Sequence, residues 1–199
     1  MEFKKYNHLE EEKKISEYWI KNSCFKPKKG KSNKKFSVVI PPPNITGRLH
    51  MGHALNNSLQ DVLVRFNRMK GLETLWQPGT DHAGIATQAI VEKNLAKEGL
   101  NKKDLGRDKF VERVWKWKEE SGGIILEQLK KLGCSCDWSR TRFTMDKDLS
   151  KAVTKVFVDL YKKKLIYKDK KLVNWDTQLQ TAISDLEVDQ RDVQSQLYY

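Results

Sequence analysis

Apolar positions fall into a few regular stretches, separated by polar breaks marked with Pro and Gly. Between Glu10 and Ile20, residues Ile15, Tyr18 and Trp19 share one helical face, which predicts a short helix. Phe25 to Lys35, with Pro27, Gly30 and closely spaced lysines, predicts a loop. Phe36-Ser-Val-Val-Ile40 is a short β-branched run and predicts a buried strand. It stops at Pro41-Pro42-Pro43, which has no backbone donors for a ladder. Met51, Leu55, Leu59, Val62, Phe66 and Met69 then recur at helical spacing, with Arg65, Arg68 and Lys70 near the end and Gly71 as its stop.

A second unit of the same kind follows. Glu73 to Gln77 reads as a strand, Pro78 to Gly84 as a loop, and Ile85 to Lys97 as a helix ending at Gly99. Two strand–loop–helix units predict an α/β fold with parallel strands joined by right-handed crossovers. In such sheets ligands bind beyond the carboxyl ends of the strands. The loops 41–44 and 79–84 should both emerge there and share one site. Further on, Phe110, Val114, Trp117, Ile125, Leu129 and Leu132 can line a helical face, with a break or a close packing contact expected at Gly122-Gly123. Leu149, Val153, Val156 and Leu160 mark another helix. Leu165 to Tyr199 reads as short strands around polar turns, the beginning of a second, β-rich domain.

Composition narrows the class. The chain has 199 residues, of which 38% are hydrophobic and 32% charged, enough for one domain with a core and an appendage. No apolar run approaches the roughly 20 residues of a membrane span, and the N-terminus lacks a signal-peptide core, so a cytoplasmic protein is expected. Three cysteines, Cys24, Cys134 and Cys136, exclude a disulfide scaffold and predict reduced thiols. The net charge is +12. From Tyr18 to Gln60 there is no Asp or Glu, against Lys21, Lys26, Lys28, Lys29, Lys31, Lys34, Lys35 and Arg48. That stretch is either a solvated lysine loop or a positive field for phosphates or a nucleic-acid backbone.

The chemistry concentrates in Pro41-Pro-Pro-Asn-Ile-Thr-Gly-Arg-Leu-His-Met-Gly-His53. This segment leads from a strand into a helix start, whose free N–H groups and positive dipole end attract phosphate. His50 and His53 are three residues apart and predict two imidazoles on one helical face. Gly52, between them, leaves backbone open to a flat ring or a phosphate. Such a face suits a reaction in which charge builds on a leaving pyrophosphate. Alternatively the histidines are inert surface residues, or ligate a metal with Asp81 or His82. No Glu follows His50 as in a zincin, and Cys134-Ser-Cys136 lacks a second pair, so no metal site is expected.

Pro41-Pro-Pro-Asn44 followed by His50-Met-Gly-His53 resembles the first signature of the class I aminoacyl-tRNA synthetases, usually written His-Ile-Gly-His. The stretches Phe66-Asn-Arg-Met-Lys-Gly71 and Thr74-Leu-Trp-Gln-Pro-Gly-Thr-Asp-His-Ala-Gly-Ile-Ala-Thr-Gln88 are similar to the valine branch of that family. So are Cys136-Asp-Trp-Ser-Arg140, Arg142-Phe-Thr-Met-Asp146 and Leu179-Gln-Thr-Ala-Ile-Ser-Asp-Leu-Glu187. Two departures are small: Met51 replaces the signature isoleucine, and Thr177 stands where proline is frequent. The family's second signature, Lys-Met-Ser-Lys-Ser, is absent, as are the anticodon-binding helices and most of an editing domain.

The resemblance implies the first half of a Rossmann-like, HUP-type parallel sheet with flanking helices, followed by the start of a β-rich editing insertion. Its expected bounds are 1–35 for an N-terminal helix and basic loop, 36–172 for the catalytic part and 173–199 for the editing part. It implies ATP with Mg²⁺, valine and tRNA(Val) as substrates and partner, and a monomer. His50 and His53 would contact ATP phosphates and stabilise the reaction, with Thr46 nearby and Gly52 against adenine. Asp81 would anchor the amino group of valine, with Asn44 as a polar partner and Pro42 as an apolar wall; the whole run Pro41, Pro42, Pro43, Asn44, Ile45, Thr46, Gly47, Arg48, Leu49, His50, Met51, Gly52, His53 is the signature. An apolar pocket rejects threonine weakly, a limit for which valine enzymes are themselves the standard example, and editing follows from it. The alternative is a nucleotide- and tRNA-binding module, catalytically incomplete on its own.

Overall fold

The computed structural model describes residues 6–28 and 33–198; Lys29, Gly30 and Lys31 of the expected basic loop lie outside them. The chain divides into two compact units, Met1–Ala152 and Val153–Tyr199.

In the first unit, helix α1 (His8–Lys21) is followed by strand β1 (Lys35–Val39), helix α2 (Met51–Met69) and strand β2 (Glu73–Gln77). The two strands pair in parallel, with Phe36 opposite Thr74 and Val38 opposite Trp76. Ile40 extends the ladder by donating its N–H to the Gln77 carbonyl, 2.9 Å. Strand β3 (Gly79–Thr80) lies within the expected 78–84 loop and pairs in parallel with β4 (Arg142–Phe143). Between these pairs a single parallel bridge joins Asn44 to Asp81. Helices α3 (Gly84–Lys97), α4 (Lys102–Leu105) and α5 (Arg107–Lys131) belong to the same unit.

One core gathers Ile40, Ile45, Val64, Trp76, Ile125, Leu129 and Phe143 with Cys134 and Cys136. A satellite core joins Val91 and Leu95 of α3 to Phe110 of α5. Burial of apolar area at roughly 25 cal/mol per Å² makes these clusters the main source of stability. Both core cysteines are free, and burial pushes their thiols up, Cys134 to about 12, which keeps them protonated and unreactive.

One expectation needs correction. β1 is not buried on both faces: it lies at the edge of a two-stranded sheet, and Val39 is 72% exposed. The helical stripe of α2, whose direction the spacing leaves open, faces outward. Leu55, Leu59, Val62 and Phe66 are exposed, whereas Asn57 and Val64 turn inward. The inward side carries a polar clamp instead. Asp61 accepts from Arg65 Nε, 2.7 Å, and from the Ser135 N–H, 3.1 Å. Arg68 donates to the Ser135 carbonyl, 2.7 Å, and to the Phe25 carbonyl, 3.3 Å. Phe25 packs on Trp19 and under Arg68, which fastens α1 and its following turn to α2.

At Gly122-Gly123 there is no break. α5 runs through, and Gly122 is buried facing Ile45, whose Cγ2 would lie 3.8 Å from a Cβ at that glycine.

Helix α6 (Lys147–Lys162) starts in the first unit and runs into the second. The second unit then holds one antiparallel hairpin, β5 (Asn174–Asp176) with β6 (Thr181–Ile183). The Asp176 carboxylate caps its turn by accepting from the N–H groups of Gln178 and Leu179. A single helical turn at Asp185–Glu187 closes on Ser184, whose N–H and hydroxyl bond the Glu187 carboxylate and hold it below its usual range.

Candidate functional site

The loops after β1 and β2 are stitched together by backbone. Asp81 donates its N–H to the Pro43 carbonyl, 2.8 Å, and Ile45 donates to the Asp81 carbonyl, 3.0 Å. This places Asn44 and Asp81 side by side at the carboxyl ends of the parallel strands, as the repeat of strand, loop and helix predicts. Helix α5 braces the same loop twice. Trp117 Nε1 donates to the Ile45 carbonyl, 2.7 Å, and Gln128 Oε1 accepts from the Leu49 N–H, 3.0 Å. Neither role was legible in the sequence, because each contact spans more than 70 residues.

The two histidines meet, though not as helical neighbours. His50 has extended backbone (φ −119°, ψ 174°) and is the N-cap of α2. Its Nδ1 accepts from the Gly52 N–H, 3.1 Å, while His53 Nδ1 accepts from the His50 N–H, 3.3 Å. This reciprocal cap satisfies donors that a helix start otherwise leaves open. The rings stand 3.9 Å apart, tilted by 47°. A nitrogen that accepts cannot carry the proton, so both neutral rings bear it on Nε2. Partial burial, then the neighbouring His50, lowers the pKa of His53 below 6.5. The helix start therefore presents two Nε2–H donors, at least one of them neutral near pH 7.

A cavity of about 620 Å³ opens at this helix start, lined by Pro42, Asn44, Thr46, His50, Gly52 and His53 among others. Asn56 and Asn57 line it too, and had no sequence signal beyond lying one turn past His53. Asp81 does not line it. Its Oδ1 accepts from the Ala83 N–H, 2.9 Å, and from the Thr144 hydroxyl, 3.3 Å. Ala83 is held in the left-handed region at φ 48°, and that hydrogen bond offsets part of the cost. Next to it, His82 Nδ1 lies 2.6 Å from Thr144 Oγ1. Among the described residues no three of His, Cys, Asp and Glu group as metal ligands, and no helix is long and apolar enough to cross a membrane.

Residues 14–198 match the family described as tRNA synthetases class I (I, L, M and V). This chain belongs to that class I family. The synthetase chain is 71% identical to the valine–tRNA ligase of Pelagibacter ubique (strain HTCC1062), over 98% of its own length and 22% of that protein. It is 58% identical to the valine–tRNA ligase of Mesorhizobium japonicum, over 98% of its length and 21% of that protein. It thus spans about a fifth of the curated relatives it matches. In structure it is similar to the agnB2 LeuRS of Agrobacterium radiobacter K84, solved as a ternary complex with tRNA and LeuAMS. That likeness has a TM-score of 0.72 at 26% identity and covers 91% of the synthetase chain and 21% of the solved one.

Proposed function

We propose that this chain is the N-terminal part of a valine–tRNA ligase. The longer protein activates valine with ATP, releasing pyrophosphate, and transfers the valyl group to tRNA(Val). The observation that carries this reading is the 71% identity to a valine–tRNA ligase across nearly the whole chain, signature helix included. The site geometry agrees with it. Activation requires the valine carboxylate to attack the α-phosphorus while charge moves onto the leaving pyrophosphate. His50 and His53, with Nε2–H groups turned from the backbone, donate hydrogen bonds to phosphate oxygens as that charge develops. Thr46 and Gly52 complete the nucleotide side of the cavity, and Mg²⁺ enters with the ATP as part of the substrate.

On the amino-acid side, Asn44 and Pro42 line the cavity, and the Asp81 backbone is bonded to both neighbours of Asn44. Asp81 anchors the ammonium group through its second carboxylate oxygen. The parallel β1–β2 pair with α2 between them is the first part of the Rossmann-like catalytic domain, 36–172, preceded by the basic segment 1–35. The β5–β6 hairpin begins an editing insertion from about residue 173. The alternative reading of the 199 residues by themselves is a nucleotide- and tRNA-binding module, catalytically incomplete on its own.

The test is valine-dependent ATP–pyrophosphate exchange by the full-length gene product. Exchange that needs valine, and not leucine or isoleucine, supports the reading; exchange driven by another amino acid overturns it.

A further inference from the structure

We propose that Thr144 is a positioning residue that holds the Asp81 carboxylate in place and keeps the His82 proton on Nδ1. The functional consequence rests on the reading of Asp81 as the ammonium anchor. Thr144 follows β4 directly, and its N–H donates to the Thr80 carbonyl, 3.2 Å, so its side chain is delivered beside Asp81 and His82. Its oxygen then meets three partners: the His82 N–H at 2.9 Å, His82 Nδ1 at 2.6 Å and Asp81 Oδ1 at 3.3 Å.

A hydroxyl has one proton to give and two lone pairs to fill. Only one assignment uses all three. The backbone N–H and an Nδ1–H donate to Oγ1, and the Thr144 proton goes to the Asp81 carboxylate. The other tautomer would take that proton for Nδ1 and remove a donor from Asp81. It would also aim a nitrogen lone pair at the carboxylate oxygen, which stands 3.3 Å from Nδ1. With Oδ1 held by Thr144 and the Ala83 N–H, Oδ2 has no hydrogen-bond partner among the described residues and is left for a cationic amine. Fixing the carboxylate in advance removes an ordering cost from binding.

The chain has four histidines, so ¹⁵N-histidine labelling and long-range ¹H–¹⁵N correlation can resolve His82 in it. The expected result is the Nδ1–H form in the native chain and in Thr144→Ser, with a larger share of Nε2–H in Thr144→Val, where only the Asp81 carboxylate still favours Nδ1–H. An Nε2–H form in the native chain overturns the proposal, whether or not Thr144→Val folds. So does an unchanged tautomer in a folded Thr144→Val. In the full-length enzyme, Thr144→Val should raise the KM for valine roughly tenfold, about one hydrogen bond to a charged group, and leave that for ATP unchanged. Thr144→Ser should restore it. If the tautomer follows Thr144 but Asp81→Asn leaves the KM for valine unaltered, the positioning stands and the anchor reading of Asp81 fails.

Discussion

The ring of His50 occupies the space into which a side chain at Gly52 would grow. A Cβ there would lie 2.9 Å from His50 Cε1 and 3.0 Å from Nδ1, the same atom that accepts the Gly52 N–H. Glycine at this position is explained first by the cap and only then by room for a ligand. Its absence of a side chain lets an imidazole fold back over the first turn of α2 and still aim Nε2 away from the backbone.

Gly52→Ala should therefore separate stability from function. Alanine gains about 1 kcal/mol of helix propensity, which offsets the roughly 1 kcal/mol lost when the cap is displaced. The thermal midpoint should move little. Valine-dependent ATP–pyrophosphate exchange in the full-length enzyme should fall by roughly 10²-fold if His50 has the proposed role of phosphate donor, because its ring is displaced. A normal exchange rate would show that the His50 position is dispensable.

Replacing the rings themselves removes one donor each. His50→Ala and His53→Ala should each cost roughly 10²–10³ in exchange rate, the penalty for losing one donor to developing negative charge. Binding of valine should change much less than the rate, and equal losses in both would indicate a folding defect.

His53 also sets a pH dependence. Its folded pKa is depressed, by burial and then by His50, whereas in the unfolded chain it returns to about 6.5. The unfolded state thus takes up a proton first as pH falls, so the contribution of neutral His53 is full above pH 6.5 and declines below it. Protonation of Nδ1 also breaks the bond from the His50 N–H. Chemical denaturation between pH 7.5 and 5.5 should show a stability loss that is smaller in His53→Asn. An identical slope in the variant would rule out this group as the source.

The extent to which the sequence foretold all this follows from what each signal measures. The β-branched run 36–40 and the Pro and Gly stops placed β1, α2 and β2 within a residue or two, because those signals are local. Periodicity found the stripe of α2 but not its direction, since spacing defines a face and is silent about what covers it. The histidine pair was found by residue type, yet its geometry depends on His50 being extended rather than helical. Thr144, Trp117 and Gln128 reach the site from 62 to 79 residues away, where no local pattern could link them.

The outward stripe of α2 makes a contrast that calorimetry can read. Leu59 is 61% exposed and Val64 fully buried, five residues apart on one helix. Leu59→Lys should change the stability of the chain by less than about 0.5 kcal/mol, as at other surface positions. Val64→Ala should cost about 1–2 kcal/mol for lost burial and the cavity left behind. The reverse ordering would mean that the stripe is covered and the helix rotated.

Beneath the same helix, Arg68 tests the polar clamp. Burial lowers its pKa, yet arginine starts so high that it keeps its charge, and its fork reaches the Ser135 hydroxyl and the carbonyls of Ser135 and Phe25 together. A lysine at this position has one nitrogen and cannot reach the acceptors of Ser135 and Phe25 together. It also gives up the flat contact that the guanidinium makes 5.3 Å from the Phe25 ring. Arg68→Lys should thus cost about 1–3 kcal/mol. It should also release α1 first, seen as faster amide exchange at Trp19 and Phe25 than in β2. Uniform acceleration throughout the first unit would show instead that Arg68 supports the core as a whole and that α1 has no separate fastening.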